Sequence, residues 1–121
     1  MTLRISIAAF CINNETVKVV EALQKQRQYS RCQIINLEGS IGVARNFLAE
    51  NETPSLLIIE TDLYGDLLFE ELESLASVFD PNSRLMLIGQ ENDIKLYRQL
   101  LEIGISDYIC SPITEEQLKN R

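Results

Sequence analysis

The chain is 121 residues long, 45% hydrophobic and 24% charged, with five Gly and three Pro, which is about one domain of ordinary globular sequence and excludes a disordered or fibrous chain. A chain of this size buries enough core to fold without disulfide or metal staples. Its formal net charge of −7 excludes binding along a nucleic-acid backbone, where affinity comes from Lys and Arg displacing counterions, so protein partners are expected instead.

Residues 1–10 carry a single charged side chain, Arg4, without a long apolar core, and Asn13 and Asn14 follow soon after. That excludes a signal peptide, and a first strand is predicted from Leu3 to Ala9. A first helix follows an Asn13 or Asn14 cap, with Val17, Val20 and Leu23 on one face. Strand two is predicted at Cys32 to Leu37. Gly39-Ser40 then turns the chain and caps a second helix, whose inward stripe is Ile41, Ala44, Phe47 and Leu48. The run Ser55-Leu56-Leu57-Ile58-Ile59 is apolar without alternation, as a central parallel strand covered on both faces must be.

After Glu60-Thr61-Asp62 and a Gly65 turn, Leu68, Leu72, Leu75 and Phe79 recur at helical spacing until Asp80-Pro81-Asn82 stops the third helix. Strand four is Leu85 to Ile88. Helix four, capped by Asn92 or Asp93, is predicted to turn Ile94, Tyr97, Leu100, Leu101 and Ile103 inward and to end at Gly104. Strand five is Asp107 to Cys110. A fifth helix begins after Ser111-Pro112, with Thr114 and Gln117 at capping-box spacing, and has only about two turns before Arg121. The chain is therefore expected to be one domain, residues 1–121, at the N-terminal end of a longer protein. Strands alternating with helices in this way form a largely parallel α/β sheet. No stretch approaches the ~20 apolar residues of a membrane span.

In such a sheet ligands bind at the C-terminal strand ends. Here those ends are chemically quiet: Ala8-Ala9-Phe10-Cys11, Glu60, Gly89-Gln90 and Cys110-Ser111-Pro112 carry one charge among them, on Glu60. Cys11, Cys32 and Cys110 form no C-x-x-C pair and the chain has no histidine, so no metal site is expected, and the cysteines read as small buried hydrophobes. A flavin or nucleotide site would need phosphate-cradling Gly, Ser or Thr after strand one, which residues 8–12 lack. No cofactor is expected.

The order of the five units, the phrase Pro54-Ser55-Leu56-Leu57-Ile58-Ile59-Glu60 and the segment Gly104-Ile105-Ser106-Asp107-Tyr108-Ile109-Cys110-Ser111-Pro112 resemble the receiver domains of two-component signalling over nearly the whole chain. The resemblance implies a flavodoxin-like (CheY-like) three-layer sandwich, with a five-stranded parallel sheet in the order 2-1-3-4-5 and helices on both faces. It also implies a phosphorylation site, from which this sequence departs throughout. Receivers hold Mg²⁺ on an acidic pair after strand one, where residues 8–12 have no carboxylate. Glu60 stands for the phosphoacceptor Asp, Gly89 for a Ser or Thr, and Ser111 for a Lys. Phosphoryl transfer relies on metal and lysine to neutralise developing charge, so a domain without enzymatic or phosphorelay activity is expected.

The alternative is a working phosphoreceiver with Glu60 as acceptor. Its extra methylene displaces the carboxylate by about 1 Å, an error that costs about 10²-fold in a positioned reaction. Glu60 either imitates a phosphorylated Asp permanently or is a solvated carboxylate. Imitation needs a cation that Ser111 does not supply, so the solvated carboxylate is expected. Tyr108 occupies the place of the receiver aromatic that changes rotamer. With no hydroxyl at Gly89 to drive it, Tyr108 is expected in one position, as core or as part of a binding face.

Two stretches, Ile5-Ser6-Ile7-Ala8-Ala9-Phe10-Cys11 and Ile88-Gly89-Gln90-Glu91-Asn92-Asp93-Ile94-Lys95-Leu96-Tyr97-Arg98-Gln99-Leu100, are similar to the atypical receiver domain of TadZ/CpaE pilus-assembly proteins. That resemblance implies a targeting or assembly domain for tight-adherence or Flp-type pili, normally followed by a ParA/MinD-like ATPase. Residues 1–121 contain no glycine-rich phosphate loop, so the ATPase would lie beyond Arg121. It further implies a cytoplasmic protein recruited by partners to the inner-membrane face or cell pole, without inserting in the membrane. The receiver dimer face of helix four, strand five and helix five is carried onto Lys95, Arg98, Gln99 and Tyr108, with a monomer as the alternative. Arg98 either pairs with Glu102 at i+4 or reaches a partner. Finally, residues 50–80 contain nine acidic and no basic residues, whereas residues 18–45 contain five basic and two acidic, a polarity that can steer a basic partner or another copy of the domain, or only keep the chain soluble.

Overall fold

A computed structural model describes residues 6–25, 33–91 and 93–110. Five strands, β1 (Ser6–Cys11), β2 (Gln33–Glu38), β3 (Leu56–Glu60), β4 (Arg84–Gly89) and β5 (Asp107–Cys110), alternate with four helices. These are α1 (Asn14–Gln24), α2 (Ile41–Glu50), α3 (Gly65–Ala76) and α4 (Ile94–Glu102). The sheet is parallel throughout, in the order β2-β1-β3-β4-β5, as the resemblance implied. The start of the first predicted strand, Cys32, Ser111 and the fifth helix lie outside the described residues.

Side chains alternate across the pleat, so each central strand feeds two cores. Ala8 and Phe10 of β1, Leu57 and Ile59 of β3, and Leu85 and Leu87 of β4 pack under α2, α3 and α4, against Ile41, Ala44, Leu48, Leu68, Leu72, Leu75 and Leu100. Phe10 meets Phe47 edge to face, with ring centroids 5.7 Å apart. Ile7, Ala9 and Cys11, Ile58, and Met86 and Ile88 face the other way, toward Val20 of α1. The non-alternating run at Leu57 to Ile59 is buried at every residue, as a strand covered on both faces requires.

Helix four departs from expectation. Leu100 is its one fully buried side chain, with Leu96 and Tyr97 packed partly against the core, while Ile94, Leu101 and Ile103 are exposed. Apolar residues lie on two faces of this helix, and the face carrying Leu96 and Leu100, four residues apart, docks on the sheet. Asp93 accepts from the Lys95 amide at 2.9 Å and caps it. At its other end Gly104 adopts φ +105°. The Gly104 amide then donates to Leu101 O at 3.1 Å and that of Ile105 to Leu100 O at 3.0 Å, the paired bonds of a Schellman stop.

Candidate functional site

The C-terminal ends of the strands carry the polar contacts. Because Ile59 faces the α2–α4 core, the pleat sends Glu60 to the opposite side, toward the N-terminus of α1. There the chain after β1 opens into α1 at residues 12–14, with amides directed at the end of β3. Glu60 is 1% exposed. Its Oε1 accepts from the backbone amides of Ile12 (2.7 Å) and Asn13 (2.8 Å). Its Oε2 accepts from Asn13 Nδ2 (2.9 Å) and the Thr16 hydroxyl (2.7 Å). The expectation of a solvated carboxylate is therefore corrected: the longer Glu side chain reaches across the sheet end and is held by the loop after β1.

Burial pushes the Glu60 carboxyl up. The bonds from Thr16, Asn13 and Ile12 together outweigh burial, and its pKa lies below the ordinary carboxylate value. Nearby, burial and then the Glu60 charge push the Cys11 thiol up to about 12, so Cys11 behaves as the apolar residue it was read to be. Ser40, at the N-cap position of α2, makes no cap. Its hydroxyl instead donates to the Glu60 carbonyl at 2.8 Å, which ties α2 to the same strand end.

Asn13 and Thr16 are the residues sequence reading missed. Asn13 was read only as a helix cap, yet both its amides serve Glu60. Thr16 stands four residues before Val20, and both are buried. A hydroxyl on the inward stripe of α1 was the available signal, because a buried polar group needs a partner.

Gly89, in the place of the receiver hydroxyl, makes room for Tyr108. A Cβ built on Gly89 would clash with the Tyr108 hydroxyl and stand 2.7 Å from Cε1 and 2.9 Å from Cζ. Tyr108 accordingly lies inward, 7% exposed, and its hydroxyl donates to Glu91 O at 2.8 Å. Burial, above all, raises its pKa. Of the four residues assigned to an interaction face, Lys95, Arg98 and Gln99 are exposed on α4; Tyr108 is core and adds no outward surface. The structure thus gathers Glu60, Gly89 and Tyr108 at one end of the sheet, with Ser111 outside the described residues.

A receiver's Mg²⁺ does not fit these residues. The stretch between Ala8 and Ile12 offers no carboxylate, and each Glu60 oxygen already accepts two hydrogen bonds. Among the described residues no group of three His, Cys, Asp or Glu side chains is placed to hold a metal ion.

No family model and no curated protein matches the chain. Solved structures do. A pilus assembly protein CpaE from Caulobacter crescentus CB15 is similar at 37% identity and TM-score 0.92, over 97% of this chain and 89% of that one. A CpaE2 pilus assembly protein from Sinorhizobium meliloti 1021 is similar at 28% identity and TM-score 0.90, over 94% and 93% of the two chains. The BeF₃-activated DrrB receiver domain is similar at 17% identity and TM-score 0.70, over 98% and 94%, which is a likeness of fold.

Proposed function

The chain belongs to the CpaE family of pilus-assembly proteins, and from that premise we propose that it is a pseudo-receiver, a non-enzymatic module that binds protein partners in pilus assembly and takes no phosphoryl group. The observation that carries this reading is the saturation of Glu60. An ionised carboxylate has about four acceptor sites, and all four are engaged by Ile12, Asn13 and Thr16. A phosphoacceptor must present a free lone pair in line with the phosphorus, beside carboxylates that hold a charge-neutralising metal; Glu60 has no lone pair to spare, and residues 8–12 supply no second carboxylate. Its role is structural, joining β3 to the start of α1.

Pilus assembly comes to this chain from what its CpaE relatives do. Among the described residues no helix is long and apolar enough to cross a membrane; recruitment through partners to the inner-membrane face or cell pole is part of the same proposal. The test is a titration of the purified chain with Mg²⁺ and acetyl phosphate, followed by calorimetry and intact mass. The expected outcome is no Mg²⁺ heat and no added phosphate mass. A stoichiometric adduct on Glu60 would make the domain a working phosphoreceiver.

A further inference from the structure

The first turn of α3 breaks two local rules at once. The N-cap position, which favours Ser, Thr, Asp or Asn, holds Tyr64, whose side chain makes no capping bond and is 69% exposed. One turn on, Leu67 is 61% exposed, although Leu68, Leu72 and Leu75 already supply the buried stripe. Neither side chain contributes to the helix start or to the core. Both follow the connection that leaves β3 at the C-terminal end of the sheet, the end where such folds bind their ligands.

Around Tyr64 and Leu67 the charged neighbours in the chain are of one sign. Asp62, Asp66 and Glu70 are all exposed, and no Lys or Arg occurs between Arg45 and Arg84. Such a field repels phosphate backbones and anionic lipid surfaces, and a second copy presenting this same surface meets the same repulsion. It attracts cationic protein segments. An exposed tyrosine is the kind of anchor that fills an interface centre, with an apolar neighbour such as Leu67 excluding water around it and charge on the rim.

We infer that Tyr64 and Leu67, with Asp62, Asp66 and Glu70 about them, form a docking surface for a basic amphipathic segment of a partner protein, one that presents aliphatic side chains flanked by Lys or Arg. This deepens the reading of the chain as a protein-binding module and rests on it. With the small-ligand site closed from within by Glu60, the strand-end edge is left to recognise a protein through its rim.

The test uses a synthetic helical peptide of Leu and Lys at amphipathic spacing and a twin with Glu for each Lys, titrated into the ¹⁵N-labelled chain at low and moderate salt. Amide shifts centred on residues 62–70 are expected with the Lys peptide, weakening as salt rises. Replacing Tyr64→Ser and Leu67→Ser together weakens binding at least ~10-fold, the loss of a hot spot. Replacing Glu50→Gln and Glu52→Gln, which removes two negative charges at the far end of α2 and leaves the apolar pair intact, changes it less than about 2-fold.

Failure to bind the Lys peptide, equal binding of the Glu twin, or equal weakening by the Glu50 and Glu52 replacements overturns the proposal. So does sedimentation of the free chain as a dimer that Leu67→Ser dissolves, since a second copy would then own the surface. None of these outcomes alters the phosphate-mass result, so the two readings fail separately.

Discussion

Glu60 illustrates how much a single methylene changes the chemistry of a strand end. A buried carboxylate with four donors is stable as an anion, and its depressed pKa fixes the sign of its linkage to folding. Its contribution is fully present above the ordinary carboxylate pKa and is lost as pH falls through the lower folded value. Glu60→Gln is therefore expected to cost about 1–3 kcal/mol near neutral pH, the scale of hydrogen bonds to a charged group. The gap from wild type should narrow in acid, as measured by urea unfolding at a series of pH values. A gap that stayed constant down to acid pH would mean the charge is not what the loop recognises. Gly89 makes the complementary prediction. Gly89→Ser restores a receiver-like hydroxyl but places its Cβ against the Tyr108 ring, so overpacking of about 1–3 kcal/mol is expected. With the ring driven out, the Tyr108 pKa should fall back toward its ordinary value, followed by NMR of labelled tyrosine. The identities of Glu60 and Gly89 were legible in sequence, but their settings were not. The partners of Glu60 lie 44 to 48 residues away, and a carboxylate after an apolar run reads as chain leaving the core.

Among the elements, β3 was the easiest to read and α4 the hardest, for the same reason. A strand buried on both faces has no face to choose, whereas α4 carries apolar residues on two faces and its sequence does not say which one meets the sheet. The structure docks it through Leu96, Tyr97 and Leu100, and its ends are fixed by Asp93 and by the Schellman bonds at Gly104. Gly104 differs from Gly89 in kind. A Cβ there meets nothing within 4 Å, yet φ is +105°, so Gly104→Ala is strained through its backbone alone, by about 1–2 kcal/mol. Because α4 has one fully buried side chain, this cost should appear as local opening. Hydrogen exchange of the α4 amides is expected to speed up about 5- to 30-fold, the rate equivalent of that energy, with β3 amides unchanged. Equal acceleration in β3 would show that α4 and the sheet open as one unit.

On the scale of the molecule, the alternation of strand and helix was enough to specify a parallel α/β sheet, while the order β2-β1-β3-β4-β5 came from resemblance to receivers, since hydrophobic period says nothing about which strands are neighbours. What distinguishes this molecule within that fold is how its two key side chains are connected. In a switching receiver the acceptor and the aromatic report on each other through the residue that ends β4. Here the Glu60 carboxylate bonds toward α1, through Ile12, Asn13 and Thr16. Tyr108 bonds to Glu91 and packs on Gly89. The two sets share no residue, and Gly89 has no side chain through which to link them. Groups without shared partners contribute independently to stability. A double-mutant cycle of Glu60→Gln and Tyr108→Phe should therefore be additive to within about 0.5 kcal/mol in urea unfolding. The Tyr108→Phe single change alone should cost about 0.5–1.5 kcal/mol for the lost bond to Glu91. A coupling energy above about 1 kcal/mol would reveal a surviving two-state link between the strand ends, and the domain would then be a switch driven by something other than phosphate. Additivity would leave a rigid scaffold, whose partners must read its surface because its interior has no second state to offer them.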